Sequence, residues 1–286
     1  MVDPQIVLVT GASSGIGQAA ARALAERGHQ VIVSGRRRER LDGLRDTLPG
    51  SSVEVVVMDI TDPVSVHNAK VEVDEITNGY GIDALVNNAG FVQAGPIEEV
   101  TEAELLAQFE TNIFGLLRVT RAWLPAMRAR RGGRIINVSS VAGRIAVPCL
   151  GVYDATKFCL EGLSDALRLE LKAYDVEVVV VEPGAIKTEL SDLEHCSLAE
   201  KNTPDSAYGD HLTAVMRWQK ANHSSAPGPE VVARAIVKAV EARRPKARYV
   251  APPSYSFLIA LRAFLPTTWA DAIVRWVVGI ANLRVS

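Results

Sequence analysis

Tyr153 and Lys157 lie four residues apart in a segment that we expect to be helical, so their side chains share one face. A free tyrosine has a pKa of about 10 and is a poor acid or base at neutral pH. A neighbouring ammonium favours the phenolate, so we expect Lys157 to lower the Tyr153 pKa. Such a pair suits proton transfer to or from a carbonyl oxygen. Alone the pattern is weak, because an ordinary surface pair has the same spacing.

Ser140 is a second candidate for the same chemistry. It ends a predicted strand over 134–139 and precedes Tyr153 by thirteen residues. Its hydroxyl would reach the same oxygen and stabilise developing charge. Ser139 is the neighbouring candidate, and strand alternation turns its side chain to the opposite face.

A glycine-rich turn follows the first apolar run, with the sequence TGASSGIG over 10–17. A strand that ends in such a turn and continues as a helix brings free N–H groups and a helix dipole to one point, which attracts the pyrophosphate of a dinucleotide. The turn is one residue longer than the general dinucleotide fingerprint. The residues that we expect at the dinucleotide are Gly11, Ser13, Ser14, Gly15, Ile16 and Gly17.

The end of the second predicted strand bears on the choice of dinucleotide. NAD sites place a carboxylate there, whereas this chain has Gly35 followed by Arg36. An arginine fork suits the 2′-phosphate of NADP(H), which we therefore expect as the cofactor. A solvated basic helix start is the alternative, and it leaves the roles of Arg37 and Arg38 open.

The elements that must position these residues are continuous apolar runs alternating with helical patterns. We predict strands at 6–9, 30–34, 53–58, 83–87, 134–139, 176–182 and 247–251. We predict helices at 16–27, 37–47, 63–77, 101–130, 151–173 and 229–243. The pattern is typical of an α/β fold with one doubly wound parallel sheet of about seven strands and helices on both faces.

Several helix boundaries have a local chemical cause. Asp62 caps the helix that Pro63 begins, and Thr101 with Glu104 forms a capping box. Gly28 ends the first helix. Pro125 should bend the fifth helix or end it early.

Bulk properties exclude several classes. The 286 residues carry 31 Lys and Arg against 33 Asp and Glu, a net charge of −2 that argues against a nucleic-acid surface. The three cysteines match no metal or redox spacing, so we expect no metal site. The chain starts without a cationic and apolar leader, which favours a cytoplasmic protein.

We expect one domain over 1–286 with two additions. The lid segment (185–228) is polar and mixed, and it follows the carboxyl end of a strand, where ligands bind in open α/β sheets. We interpret it as a substrate lid, with an uninvolved surface loop as the alternative. The tail (254–286) is apolar but interrupted by charges, so it should pack on the core or a partner. Interfacial membrane contact is the less favoured alternative.

Together these motifs resemble the short-chain dehydrogenase/reductases, in the branch with domains of about 250 residues. The resemblance extends from about residue 5 to 253 and the tail is similar to that of steroid- and retinol-type members. It also rests on Asp59, the run 87–90 (NNAG), Asn112 and the pair Pro183-Gly184. It implies a Rossmann fold.

The resemblance implies roles for individual residues. Asn112 would bend its helix and use its backbone carbonyl to hold a water that links Lys157 to solvent, completing a catalytic set with Ser140 and Tyr153. Lys157 would also bind the nicotinamide ribose. Asp59 would meet the adenine, unless it only caps a helix. The remaining implied cofactor residues are Ile60, Asn87, Ala89, Gly90, Pro183, Gly184, Ile186 and Thr188.

The expected function is NADP(H)-dependent interconversion of a carbonyl and an alcohol, as in carbonyl reductases. The expected pocket is mostly apolar, with residues Val141, Val147, Pro148, Cys149, Leu150 and Val152, which favours a bulky apolar substrate. His195, His211 and His223 are expected at the surface. Relatives imply a homodimer or homotetramer. Alternatives are a non-catalytic NADPH-binding sensor or scaffold and a sugar-nucleotide-modifying enzyme.

Overall fold

Seven short apolar segments pair into one parallel sheet in the computed structural model, which describes residues 3–50 and 52–283. The strand order is β3-β2-β1-β4-β5-β6-β7, and each neighbouring pair is parallel. The order reverses direction beside β1, so the ends of β1 and β4 border a crevice of the kind that binds ligands. The prediction of a doubly wound parallel sheet is confirmed. The strands are β1 (Ile6–Thr10), β2 (Gln30–Gly35), β3 (Val53–Val57), β4 (Ala84–Asn87), β5 (Gly133–Val138), β6 (Val176–Pro183) and β7 (Arg248–Ala251).

Helices cover both faces of this sheet because its strands are apolar on both sides. Val7 and Val9 of β1 belong to the core that packs against the first and ninth helices, while Leu8 between them belongs to the opposite core. The helices are α1 (Gly15–Glu26), α2 (Arg38–Asp46), α3 (Pro63–Ile76), α4 (Glu102–Phe109), α5 (Leu116–Arg130), α6 (Gly151–Leu171), α7 (Glu189–Lys201), α8 (Gly209–Ser225), α9 (Glu230–Glu241), α10 (Tyr255–Phe264) and α11 (Thr267–Val278).

The predicted helix caps are present. The Asp62 side chain accepts a hydrogen bond from the Val64 N–H at the start of α3. Thr101 and Glu104 exchange the reciprocal bonds of a capping box at α4. Gly28 follows α1 with a φ of 86°, the left-handed conformation that commonly ends a helix.

The predicted helix over 101–130 is interrupted at a different place from the proline. A π-helical turn over Glu110–Gly115 separates α4 from α5. Of the two effects predicted for Pro125, an early end does not occur, because α5 runs through it to Arg130. Pro125 has no N–H to donate to the Arg121 carbonyl one turn earlier. Both residues lie on the solvent side of the helix. Water can satisfy that carbonyl, so the helix continues.

The lid segment forms two helices, α7 and α8, that the sequence patterns did not predict. Leu198 is the buried residue of α7, so this helix lacks the apolar stripe by which amphipathic helices are recognised. The tail forms α10 and α11, which bury Ala270 and Val278 but expose large side chains such as Phe264 and Trp276. Within the described ranges, the helices lack the length and apolar content needed to span a bilayer.

Candidate active site

A cavity of about 710 Å³ lies between the carboxyl ends of the strands and the helices of the lid and tail. Ser140, Tyr153 and Lys157 line it, together with mostly apolar side chains. The tail contributes Leu258, Leu261, Leu265, Ile273, Val274 and Val277. The cavity therefore places a polar cluster at one end of an apolar chamber.

Some of the expected pocket residues lie elsewhere. Val141, Val147 and Leu150 line the cavity, whereas Cys149 and Val152 are buried behind its wall and Pro148 is outside its lining. His211 packs edge-on against Tyr208, away from the cavity. His195 and His223 line the cavity from the lid helices, and the His223 side chain is still 39% exposed, in keeping with the expected surface position.

Three side chains form the reactive end of the cavity. The Lys157 Nζ lies 5.5 Å from the centre of the Tyr153 ring and donates to the Val138 carbonyl at 3.0 Å. The Ser140 Oγ accepts from the Ala142 N–H at 3.1 Å and lies 3.4 Å from the Pro183 carbonyl oxygen. The helical spacing in α6 and the end of β5 thus bring these residues together.

The electrostatics of the pair differ from the expectation. Burial raises the pKa of Tyr153 above its ordinary value, although a hydrogen bond with Ser140 opposes the rise. Burial also lowers the pKa of Lys157 to about 8. The prediction that Lys157 would lower the Tyr153 pKa is wrong for this structure, because removal from water penalises the charged form of each group. Tyr153 is therefore a neutral phenol at pH 7.

Asn112 lies in the π-helical turn and is almost fully buried. Its Nδ2 donates to the Phe91 carbonyl at 3.0 Å and to the Thr156 Oγ1 at 3.2 Å, and its Oδ1 accepts from the Phe91 N–H. These bonds occupy the amide, so the side chain fixes the turn against α6. π-helical turns are frequent at functional sites.

The glycine turn leaves no room for side chains where it meets β4. A Cβ at Gly11 would lie 2.8 Å from the Ala89 Cα, and a Cβ at Gly17 would lie 2.4 Å from the Asn88 Nδ2. Gly15 has a φ of 54° and packs beside Thr188. Ser14 begins α1 without a side-chain cap, so the first N–H groups of this helix point at the groove. This cradle fits a dinucleotide pyrophosphate, which Gly11, Gly15 and Ser14 would hold.

Two arginines, Arg36 and Arg37, directly follow β2. The Arg37 guanidinium donates to the Ser13 Oγ at 2.9 Å and to the Ser14 Oγ at 3.2 Å. Arg36 is exposed, and its charge acts on Asp59. Arg38 begins α2. The sequence left the role of Arg37 open, and the structure places it on the glycine turn.

Asp59 and Ile60 follow β3 and lie in different environments. Burial favours a higher pKa for Asp59, but hydrogen bonds from Thr61 and the charges of Arg36 and Arg118 hold its pKa below the ordinary range. Asp59 Oδ1 accepts from both the N–H and the hydroxyl of Thr61 in the turn before α3, whereas the N-cap of that helix is Asp62, so the capping alternative is wrong for Asp59. The Ile60 side chain is buried against Gly115 of the π-helical turn, so only its backbone is available to a cofactor.

The prediction that Asn87 lines the cofactor groove is wrong for its side chain. Asn87 is buried, and its Nδ2 donates to Thr120 and Asn137 on the far side of β4. Alternation along the strand causes this placement. The groove side is taken by Asn88, which the sequence reasoning did not select and whose Nδ2 donates to the carbonyls of Thr10 and Gly11.

The segment after β6 joins the cofactor groove to the cavity. Pro183, Gly184 and Ile186 line the cavity with Gly90 and Ile16, while Thr188 packs on the glycine turn. A Cβ at Gly184 would lie 2.4 Å from the Tyr255 ring, and the Tyr255 hydroxyl accepts from the Ala185 N–H at 3.3 Å. The tail therefore packs directly on this segment.

Comparisons with known proteins agree with this geometry. The family model for short chain dehydrogenases matches residues 5–195. A 3-ketodihydrosphingosine reductase of Bacteroides thetaiotaomicron is 35% identical, over 96% of this chain and 98% of its own length. An NADPH-dependent 3-dehydrocapnine reductase of Ornithobacterium rhinotracheale is 34% identical, over 93% and 94%.

A solved structure also matches. A short chain dehydrogenase/reductase from Burkholderia phymatum, in complex with NAD, superposes with a TM-score of 0.79 at 25% identity, over 92% of this chain and 94% of its own. The family match covers β1 to β6, the glycine turn and the Tyr-Lys pair. The chain therefore belongs to the short-chain dehydrogenase family of nicotinamide-dependent oxidoreductases.

Proposed function

We propose that this protein is an NADP(H)-dependent reductase of bulky apolar ketones. The observation that carries the proposal is the position of Tyr153 and Ser140 at the end of a largely apolar cavity of about 710 Å³. A chamber of this volume is within the range that buries a drug-sized molecule. Its reactive end adjoins the glycine turn through Ile16 and Gly90.

Tyr153 supplies the proton in the proposed direction of reaction, which is reduction. A dinucleotide bound on the glycine turn supplies or takes up the hydride at the substrate carbon. Burial keeps Tyr153 a phenol, so its O–H is available to protonate the oxygen of a ketone. Ser140 donates to the same oxygen and stabilises its developing negative charge. Lys157 binds the nicotinamide ribose in this proposal.

The preference for NADP(H) rests on Arg36 and Arg37. Two guanidinium groups flank the end of β2, and Gly35 offers no carboxylate to repel a 2′-phosphate. Arg37 donates to Ser13 and Ser14 of the glycine turn and also lies 3.7 Å from the Glu189 carboxylate, so its charge is held beside this turn. The NADPH-dependent relative supports this choice, whereas the NAD-bound relative shows that the fold also serves the other cofactor.

The chemical step is tested with Tyr153→Phe. We expect NADPH binding, followed by fluorescence titration, to be retained, and turnover of long-chain ketones to fall at least about 100-fold, the lower range for a lost general acid. Phe158→Tyr on the exposed side of α6 is the matched control, because it adds a phenol hydroxyl outside the cavity. A Tyr153→Phe enzyme that keeps most of its rate would refute the assignment.

The cofactor preference is tested with Arg36→Ala and Gly35→Asp. A Cβ at Gly35 would lie 3.7 Å from the Ser13 Oγ, so an aspartate fits there. We expect each variant to reduce the NADPH-to-NADH affinity ratio about 10- to 100-fold, as for the loss of a charge-assisted hydrogen bond. Arg38→Ala should keep the parent ratio. An unchanged ratio in both test variants would refute NADP(H) selection by Arg36.

A further inference from the structure

The first residue of the first lid helix contacts the basic segment that follows β2. Glu189 begins α7, and both of its carboxylate oxygens accept from the Arg40 Nη1, at 2.7 and 2.8 Å. The Arg37 Nη1 lies 3.7 Å from the same carboxylate. These ion pairs join the lid to the start of α2, which lies far away in the sequence.

The Glu189 carboxylate also lies beside the glycine turn. Arg37 donates to Ser13 and Ser14 of this turn, and Glu189 lines a second cavity of about 350 Å³ together with both serines. The hydrogen bond from Arg40 holds the pKa of Glu189 below its ordinary value, so the group is anionic at neutral pH. Two guanidinium groups therefore face one anion here, the arrangement by which arginines also bind phosphates.

Arg37 thus has two anionic claimants. In the proposed function it serves the 2′-phosphate of NADP(H), because the ribose 2′ position is read at the end of the second strand. NAD enzymes place a carboxylate at that strand end, whereas here Gly35 occupies the place and the nearby carboxylate comes from the lid. A carboxylate and a phosphate at one guanidinium compete for its donors and repel each other.

The phosphate is the stronger of the two competitors. The side chains of Arg37, Arg40 and Glu189 are 47%, 47% and 53% exposed, so their ion pairs are screened by water and are weak. A phosphate monoester carries about 1.5 to 2 negative charges at pH 7, whereas a carboxylate carries one. The ion pairs of Glu189 are therefore replaceable.

We propose that Glu189 competes with the 2′-phosphate of NADP(H) for Arg37 and thereby couples the position of α7 to the cofactor that is bound. The proposal rests on the proposed NADP(H) preference and adds a residue that limits it. Without the phosphate, Glu189 holds Arg37 and Arg40 and ties the lid to α2. With NADP(H) bound, Arg37 donates to the 2′-phosphate, Glu189 withdraws, and the first turn of α7 is released. With NAD(H) bound, Glu189 keeps its arginines.

The test measures the dissociation constants of NADP⁺ and NAD⁺ by calorimetry, on the full-length protein without substrate. We expect Glu189→Gln, which removes the charge, to tighten NADP⁺ binding about 3- to 10-fold, the range for one exposed ion pair. NAD⁺ binding should keep its parent value. Glu200→Gln is the matched control, because it removes the same charge from an exposed position near the other end of α7. It should keep the parent constants for both cofactors.

Amide hydrogen exchange over the first turn of α7 tests the release of the lid. In the parent protein, we expect faster exchange with NADP⁺ than with NAD⁺, because the ion pairs that hold this turn are lost. In Glu189→Gln the two cofactors should give equal exchange rates. Equal rates with both cofactors in the parent would overturn the coupling.

The binding constants separate this proposal from the proposed function. A parent that prefers NADP⁺, with the same preference in Glu189→Gln, overturns the competition and leaves the proposed cofactor preference intact. Weaker binding of both cofactors by Glu189→Gln overturns it as well, because it shows that Glu189 retains either dinucleotide. If the parent prefers NAD⁺, the proposed preference fails. A selective gain in NADP⁺ affinity by Glu189→Gln then still supports the competition, and an unchanged ratio overturns it.

Discussion

Replacing Asp154 by asparagine should make the protein more resistant to alkaline conditions. Asp154 is 2% exposed, its Oδ2 accepts from the Val147 N–H at 2.7 Å, and its Oδ1 is buried without a partner in the described structure. Burial, reinforced by the charge of Glu194, raises its pKa from 3.8 to about 8. The folded state therefore holds the neutral acid where the unfolded chain holds the carboxylate.

The sign and size of the effect follow from this difference. Because the folded pKa is raised, the stability associated with the neutral acid is present below about pH 4 and is lost as the pH rises toward 8. A tenfold change in an ionisation constant is worth about 1.4 kcal/mol, so the upper bound is about 6 kcal/mol. Relaxation around buried charges reduces such values, and we expect about 2–4 kcal/mol. The amide of the Asp154→Asn variant would stay neutral throughout and keep an acceptor for the Val147 N–H.

The assay is urea unfolding of parent and variant at pH 5, 7 and 9. We expect the unfolding free energy of Asp154→Asn to rise relative to the parent across this range. Asp165→Asn is the control on the same helix. Burial alone would raise the pKa of Asp165, but hydrogen bonds from Arg248 and Arg168 hold it below its ordinary value. That variant should lose stability to a similar extent at pH 5, 7 and 9, because Asp165 stays ionised over this range. Parallel curves for parent and Asp154→Asn would show that Asp154 ionises normally.

Two further substitutions test the local packing. Gly115→Ala should lower the unfolding free energy by about 1–3 kcal/mol, because its Cβ would lie 2.9 Å from the Ile60 side chain. Gly162→Ala, on an open face of α6 within the described structure, should instead raise it by about 0.5–1 kcal/mol in the same urea assay. Thr101→Ala breaks the capping box with Glu104 and should cost about 1 kcal/mol, measured by thermal unfolding. Equal effects of the two glycine substitutions would contradict the packing described at the π-helical turn.

The framework was predictable because its signals are local. β1, β2, β4 and β6 each contain a continuous apolar run of three or more residues, and the caps at Asp62 and Thr101 depend on residues close to each other in sequence. The lid helices were not predictable in this way, because α7 buries Leu198 but carries no apolar stripe. Propensity alone could have indicated it, since Glu, Leu, Ala and Lys dominate its sequence.

For the site, the sequence could not predict the orientation and the burial of individual side chains. Asn87 and Asn88 are identical in type, and only the end of β4 decides which one faces the glycine turn. The spacing of Tyr153 and Lys157 predicted their proximity, but the pKa of Tyr153 depends on burial, which no spacing reveals. Glu189 was missed because its contact with Arg40 joins the lid to α2, two elements that lie far apart in the sequence.

The contact between Gly184 and Tyr255 constrains which tail segments of homologues can be grafted onto this chain. The aromatic ring occupies the space that any larger residue at 184 would need, and its hydroxyl holds the next N–H of the same segment. A chimera that receives another tail must therefore accept glycine or a new aromatic arrangement at this junction. The tail side chains that line the cavity are thereby coupled to the residue at position 184, and the two should vary as a unit among homologues.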